Sequence, residues 1–295
     1  MVAVGLGFKV AAVPFHLWAP DAYEGAPAPA AAFIASVSKV ASFALLISIG
    51  TAMLHAFDSA YSVQVLSLAG RASRFNGVIA PWSLILTILS VASMIVGNLA
   101  ALAQSSVRRL LAYSAIAHAG YILLGLAFFS PTNVSAQAIL YYIVTYGLTT
   151  IGAFGAVGAV ERATGSDKMD SFAGLQKRNP LLAAVMLVLF LSLAGIPPLV
   201  GFWAKFNLFA AVLAVGAGKV PFILVALAVA FSAVSLYYYL QVLKRVYVAP
   251  ATDDSPIRAG FVTTAVLALI AAAVLVLGCL PGILQSWIAG FYRAM

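Results

Sequence analysis

The sequence predicts an all-α polytopic membrane protein with about eight transmembrane helices, two of them broken. Three observations predict it. Of 295 residues, 64% are hydrophobic and only 8% are charged. A soluble domain carries roughly 25% charged and about 45–50% apolar residues. The mean hydropathy of +1.07 excludes a soluble globular fold, a coiled coil and a disordered chain. At ~20 residues per span, that apolar content sets a ceiling of about nine spans. The net charge of +8 does not call for nucleic acid, because a basic excess in such a chain marks cytoplasmic loops.

The spans are read from the gaps between charges. The first, about 1–22, is short and contains Pro14. It has no flanking charge, no basic leader region and no small-residue cleavage site, so it is no signal peptide. It reads as the middle of a helix, as if cut from a longer protein or begun at a late start codon. The second is about 28–55. Between Arg74 and Arg108 no charge occurs, and 77–101 forms the third. Between Arg109 and Glu161 lie 51 uncharged residues, too many for one helix. The turn Ser130-Pro131-Thr132-Asn133 divides them into about 113–129 and 135–159. The rest are about 180–215, 221–243 and 260–289.

An even number of spans places both ends on one side. If the loop at 102–112 is cytoplasmic, so are 161–180 and 244–258. Those loops hold nine basic residues: Arg108, Arg109, Arg162, Lys168, Lys177, Arg178, Lys244, Arg245 and Arg258. The opposite side holds four: Arg71, Arg74, Lys219 and Arg293. The excess favours this orientation in a cell (plasma or inner) membrane, with both termini outside.

Three lysines remain, each inside an apolar span. Lys9 lies in VGLGFKVAAV, Lys39 in FIASVSKVASFALL and Lys205 in GFWAKFNLFAAV. An ammonium at mid-bilayer costs ~2.5–3.5 kcal/mol on insertion scales. Lipid-facing, charged lysines are therefore excluded; they must be paired, hydrated in a polar cavity, or neutral part of the time. Snorkelling is the plain alternative, strongest for Lys9 near a helix end and weakest for Lys39, which has apolar sequence on both sides. The acids Asp21, Glu24, Asp58, Glu161, Asp167, Asp170, Asp253 and Asp254 all fall in loops or helix ends. A buried lysine without a counter-ion loses basicity and can exchange its proton near neutral pH. So a carboxylate comes from outside this chain, or the lysines are partly neutral relays.

Two spans are interrupted. Pro14 breaks GLGFKVAAVPFHLWAP five residues after Lys9, with His16 beside it. Gly195, Pro197, Pro198 and Gly201 break LSLAGIPPLVGFWAKF before Lys205. Lipid does not tolerate the freed backbone groups, so each break must line protein or water. A matched pair of broken spans, each beside an ionisable residue, points to a transport site.

His118 lies in RRLLAYSAIAHAGYILLG, where it reads as a relay at neutral pH or as a bond to a neighbouring helix. His55 is read as interfacial. Ser36, Ser38, Tyr113, Ser114, Thr145, Tyr146, Thr149 and Thr150 suit either a water chain or the commoner interhelical hydrogen bonds. Tyr237, Tyr238, Tyr239 and Tyr247 read as interface belt and packing. Cys279 reads as a small buried hydrophobe. No dinucleotide fingerprint, phosphate-binding loop, metal-ligand helix motif or cysteine ligand set is present. No cofactor or metal is expected on this chain, and any linked redox reaction belongs to another polypeptide.

The stretch GLGFKVAAVPFHLWAPDAYEGAPAPAAAFIASVSKVASFALL strongly resembles the antiporter-like membrane subunits of respiratory complex I. Within that family it resembles the N type of NADH-quinone oxidoreductase. The related L and M types share the PFHxWxPDAxEG core but carry histidine where this sequence has Lys39 in SVSKVA. QSSVRRLLAYSAIAHAGYILLG and LAGIPPLVGFWAKFNLF agree as well, so the resemblance runs along the whole chain.

The resemblance implies an antiporter-like fold of fourteen helices with two inverted five-helix repeats, of which this chain matches the last eight. On that fold, 1–57 ends the first repeat, 77–249 forms the second and 258–295 is a C-terminal helix. The six N-terminal helices would carry the glutamate that pairs with the lysine matching Lys9. Without them, this chain alone is not expected to pump.

The resemblance further implies a proton-translocating subunit with no redox centre of its own. Lys9, Lys39 and Lys205 would form a lysine row with His118 as bridge, and Pro14, His16, Gly195, Pro197 and Pro198 would mark the breaks. NADH, FMN, iron–sulfur clusters and quinone would sit on partner subunits. The implied partners are the M and L types, the small J, K and A types and the quinone-site H type, in a lipid bilayer. Two alternatives stay open at this point: a subunit of a multisubunit cation/proton antiporter, and a truncated structural remnant that conducts nothing.

Overall fold

The computed structural model describes residues 2–61, 68–129, 133–215, 218–251 and 255–294. Residues 130–132 of the expected turn and Asp253 and Asp254 lie outside them. So do the side chains of His55, Asp58, Arg71, Arg74 and Arg293, and the expectations for these residues with them. The described residues form an all-α bundle.

The first expected span is two short helices, α1 (Val2–Val10) and α2 (Trp18–Gly25). The second is a helix in three parts: α3 (Ala28–Phe33), a π-helical turn (Ile34–Ser38) and α4 (Lys39–Tyr61). Then follow α5 (Leu68–Leu102), α6 (Val107–Ala127) and α7 (Asn133–Thr164). A 3₁₀ turn (Met169–Phe172) and the short α8 (Leu175–Arg178) cross the end of the bundle. The second broken span is α9 (Pro180–Ala194) and α10 (Val200–Val215). The chain closes with α11 (Lys219–Tyr247), α12 (Phe261–Cys279) and α13 (Pro281–Ala294). Six of these stretches are continuous helices long and apolar enough to cross a bilayer. With the two broken pairs, that accounts for eight crossings.

Two boundaries differ from the sequence reading. The single span expected at 260–289 stops at Cys279, and Pro281 opens a separate helix that packs against α7. Pro281 has no N–H to continue α12 and suits the first position of a new helix. The helix expected from 113 begins at Val107, because Ser106 caps it by accepting from the Arg109 amide at 3.1 Å. Arg108 and Arg109 therefore lie in its first turn rather than in a loop.

α6 is the centre of the bundle. Nearly all its side chains are buried, and α2, α4, α5, α7, α10 and α11 all pack against it. Its closest neighbour is α5, and glycines make the approach possible. A Cβ on Gly97 would lie 2.6 Å from the Ala117 nitrogen, and one on Gly120 would lie 2.8 Å from the Ser90 carbonyl oxygen. Small residues at such crossings let backbones meet where no hydrophobic force drives helices together.

The three loops expected to share one side of the membrane do meet at one end of the bundle. The Val107 amide donates to the Asp167 carbonyl at 2.9 Å, the Gly174 amide to Arg245 at 3.1 Å and the Ile257 amide to Arg178 at 3.2 Å. The turn between α2 and α3 joins the same end through Arg108 and Arg109.

Candidate functional site

The second break builds the site. Asn179 caps α9 by accepting from the Leu182 amide at 3.0 Å, and Pro180 sits at the first helical position. The helix ends at Gly195, whose φ of 88° is the left-handed conformation that closes a helix C-terminus. Its last carbonyls then point past the break with no intrahelical donor. Lys205, about a turn and a half into α10, reaches back to fill that need. Its Nζ donates to the Ala194 carbonyl at 2.7 Å and to Ser232 Oγ of α11 at 2.8 Å. The amine also stands 5.5 Å from the centroid of the Tyr121 ring. Only 5% of Lys205 is exposed. A cation at a helix C-terminus meets the negative end of the helix dipole, so the break itself supplies the partial counter-charge. The break is covered by α12, where the Gly278 carbonyl accepts from Trp203 Nε1 at 2.9 Å. Part of the irregular backbone, at Pro198–Val200, thus faces α12.

Lys39 is solved differently. It opens α4 directly after the π-turn, is 2% exposed, and donates from Nζ to the Ala115 carbonyl of α6 at 2.6 Å. π-Helical turns inside α-helices frequently mark functional positions.

His118 lies one turn further along α6. Its Nδ1 is 2.8 Å from Tyr142 Oη, and its ring packs on Tyr146 at a centroid distance of 4.8 Å. Nε2 is buried and has no hydrogen-bond partner among the described residues. Both Lys39 and Lys205 lie near enough for their charges to act on the ring. A cavity of about 10 Å³ joins His118, Tyr142, Thr145, Tyr146 and Thr149 to Ser192, Gly201 and Ala204 at the second break. That is about the volume a single water needs, and the walls offer the polar partners it requires.

The structure therefore brings Lys39, His118, Gly195 and Lys205 together. It leaves Lys9 out. Lys9 lies in the last turn of α1 with its side chain exposed, and none of the hydrogen bonds or ion pairs among the described residues involves it. Pro14 and half-buried His16 follow it at the first break, and no hydrogen bond or ring contact among the described residues joins them to the cluster. Pro197 and Pro198 form the connection between α9 and α10 and are exposed at the surface of this chain. The peptide bonds before Pro14 and Pro198 are both cis.

Several partners escaped the sequence. Of the tyrosines read as interface belt and packing, Tyr238 and Tyr239 are packing: they are 2% and 0% exposed. Tyr238 Oη donates to Asn98 Oδ1 at 3.2 Å, Asn98 Nδ2 donates to Tyr121 Oη at 3.3 Å, and Tyr239 pairs with Ser114. Only Tyr237 of that run is well exposed. Cys279 is exposed rather than buried. Ser36, Thr145 and Thr149 mostly bond carbonyls one turn back in their own helices. A polar Asn98 within an apolar span was the signal available for this network.

The acids among the described residues are paired at the loop end. Arg108, 4% exposed, pairs with Glu161 at 2.9 Å and donates to the carbonyls of Tyr23, at 2.8 Å, and Ala26. Arg109 pairs with Asp21 at 2.7 Å and Glu24 at 2.8 Å. These contacts fasten α2 and the start of α3 to α6 and α7. Among the described residues no carboxylate pairs with a lysine of the site, and no group of three or more histidine, cysteine or acidic side chains has the arrangement of a metal site.

Residues 1–80 and 60–234 match the NADH:quinone oxidoreductase/Mrp antiporter transmembrane family. An NADH-quinone oxidoreductase subunit N 2 of Acidobacterium capsulatum is 49% identical over 98% of this chain and 56% of its own length. A subunit N of Desulforamulus reducens is 41% identical over 96% of this chain and 53% of its own. The chain thus spans about half the length of the curated relatives it matches. A chain of respiratory complex I from Thermus thermophilus, solved with bound Aureothin, superposes with a TM-score of 0.74 at 39% identity, over 97% of this chain and 57% of that one. A chain of the Mrp complex from Dietzia sp. superposes at 0.80 but with 23% identity, over 97% of this chain and 57% of its own, a likeness of fold.

Proposed function

We propose, from the premise that this chain belongs to the NADH:quinone oxidoreductase/Mrp antiporter transmembrane family, that it is part of an N-type, proton-translocating membrane subunit of an NADH-quinone oxidoreductase. One observation carries the reading. Buried Lys39 bonds the Ala115 carbonyl one turn from buried His118, buried Lys205 bonds the helix end at the second break, a water-sized polar cavity lies between His118 and that break, and no carboxylate of the described residues pairs with either amine. In this reading each amine takes up and releases a proton, and the charge on one acts on the other.

In this reading a proton taken up at Lys39 raises the field at His118 and favours release from Lys205 towards Ser232 and the second break. Tyr142 holds the His118 ring and presents Nε2 to the cavity. The chain's residues move protons and hold no electrons. NADH, FMN, iron–sulfur clusters and quinone belong to partner subunits, and reduction there alters the field at one end of the row. Lys9, open to the outside of this chain, takes its counter-ion from a carboxylate beyond it. Pro14 and His16 shape the first break, and Gly195, Pro197 and Pro198 the second.

The same reading gives residues 1–57 to the end of a first inverted repeat, 77–249 to a second and 258–295 to a C-terminal region. It places the charge-rich loops in the cytoplasm and the chain's ends outside. M-, L-, J-, K-, A- and H-type subunits would be its neighbours. The fold likeness to an Mrp chain keeps a multisubunit cation/proton antiporter as the second reading. Neighbouring genes encoding cluster-bearing dehydrogenase subunits favour the first, and genes for small antiporter subunits alone favour the second.

The test is replacement of Lys39 or Lys205 by Ala in the intact assembly. Proton pumping and the quinone reduction coupled to it should both fall while assembly persists. An assembled variant that pumps at the unaltered proton-to-electron ratio removes the relay. Lys205→Arg sharpens the result, because a guanidinium stays charged and cannot toggle.

A further inference from the structure

A second cavity lies away from the lysines, on the outer flank of the bundle between α3 with its π-turn, α7 and α12. It is a groove of about 450 Å³ with almost wholly apolar walls, formed by residues within 28–37, 151–162 and 262–270. Twelve residues of α7, eleven rises of ~1.5 Å, make it about 16 Å long. That is the depth of one leaflet, roughly half of a ~30 Å hydrocarbon core. The groove therefore runs from one membrane surface to the midplane and stops.

Its surface end carries the groove's single charged wall residue, Arg162, in the last turn of α7. Nε of Arg162 donates to the Gly158 carbonyl at 3.1 Å. Its two terminal amino groups make no hydrogen bond among the described residues. Thr263 stands in the first turn of α12 at the same end. This is the end where the basic loops gather. An apolar slot one leaflet deep, with a guanidinium at its rim, is complementary to a molecule with a long hydrocarbon tail and an anionic headgroup.

We infer that this groove binds an anionic phospholipid of the loop-side leaflet, its phosphate held by Arg162 and one acyl chain seated in the slot. The deep end of the slot is lined by Ser36 and Val37 of the π-turn, two to three residues before Lys39. The chain terminus of the lipid would then pack on the turn that sets the direction of the Lys39 amine. The occupant thereby supports the position of one relay group without touching it.

The experiment uses the intact assembly, purified in detergent and stripped of lipid, then offered palmitoyl-oleoyl phosphatidylglycerol or phosphatidylcholine in mixed micelles. Bound lipid is counted by native mass spectrometry. The unaltered protein should retain phosphatidylglycerol more tightly than phosphatidylcholine. Arg162→Gln should weaken phosphatidylglycerol about fivefold, as loss of one interfacial cation does, and leave phosphatidylcholine unchanged. Arg162→Lys should restore most of the preference. Val266→Trp, at an outward-facing wall position, should lower retention of both lipids by filling the slot. Three results overturn the inference. One is equal retention of the two lipids. Another is retention that neither Arg162→Gln nor Val266→Trp alters. The third is a Thr263→Cys variant that crosslinks to a neighbouring polypeptide, which would make the groove a protein interface. Pumping ratios do not enter the readout, so failure here is separate from failure of the relay.

Discussion

The two broken helices carry the same sequence signature and end in opposite environments. Each joins a lysine to a proline within one apolar stretch. At the second break the amine is buried and bonds the severed helix end. At the first the amine is exposed, and the backbone is satisfied without it. There the Ala12 amide returns to the Gly7 carbonyl at 2.8 Å, Trp18 Nε1 donates to the Phe8 carbonyl at 3.1 Å, and the Val13 amide finds Ser93 Oγ at 2.9 Å. The order of residues decides this difference. Lys205 follows its break and can fold back over the exposed carbonyls. Lys9 precedes its break, belongs to the helix that ends there, and is displaced by an indole. What anchors the first break instead is Arg108, which binds the Tyr23 and Ala26 carbonyls beyond it. An arginine from another helix does there what Lys205 does at the second.

The sharpest way to break this comparison is Arg108→Ala. It strands Glu161 and two backbone carbonyls, and should destabilise the protein by about 3 kcal/mol, as broken buried pairs do. Thermal unfolding in nanodiscs measures it, and an unchanged midpoint would show that the first break stands without its anchor. Lys205→Met comes next. It removes the donor to Ala194 and Ser232 at a cost of about 1–3 kcal/mol, whereas Lys9→Met should give no resolvable shift in the same assay. Equal shifts would mean that the two lysines are not distinguished by their environments. Gly195→Ala should cost about 1–2 kcal/mol, because a left-handed residue acquires a side chain. Its Cβ would also lie 2.9 Å from Lys205 Cδ, so the variant should lose proton transfer together with stability. Ser93→Ala is the mildest, about 1 kcal/mol for one lost acceptor, and should leave the second break's hydrogen–deuterium exchange untouched.

Much of this was legible in the sequence, and the exceptions have physical causes. Eight crossings followed from gaps between charges, because lipid penalises charge directly. The division of α12 from α13 did not, since no charge lies near Leu280-Pro281-Gly282; there the turn chemistry of Pro-Gly outweighed the hydropathy. The break at Gly195 was readable because glycine and proline announce backbone freedom or loss of a donor. The π-turn at Ile34–Ser38 was not, because an inserted residue in a helix needs no special side chain. Lys39 and Lys205 stood out as charges in oil. Tyr238 and Tyr239 did not, because a tyrosine serves equally at an interface or in a core, and only the packing of α11 on α5 and α9 decides. Arg108 and Arg109 were counted for orientation alone, and their partners, at 2.7 to 2.9 Å, are far away in sequence.

The volume beside His118 has its own consequence for the proposed relay. A space that admits one water cannot hold a continuous file of them. A proton crossing there has to be handed over, and the carrier must turn before it can accept another. Passage becomes a sequence of discrete events with a reset between them, and backflow is limited for the same reason. In the proposed relay, the tight packing of tyrosines and threonines on this spot would act as a turnstile, and its narrowness would keep the membrane from leaking.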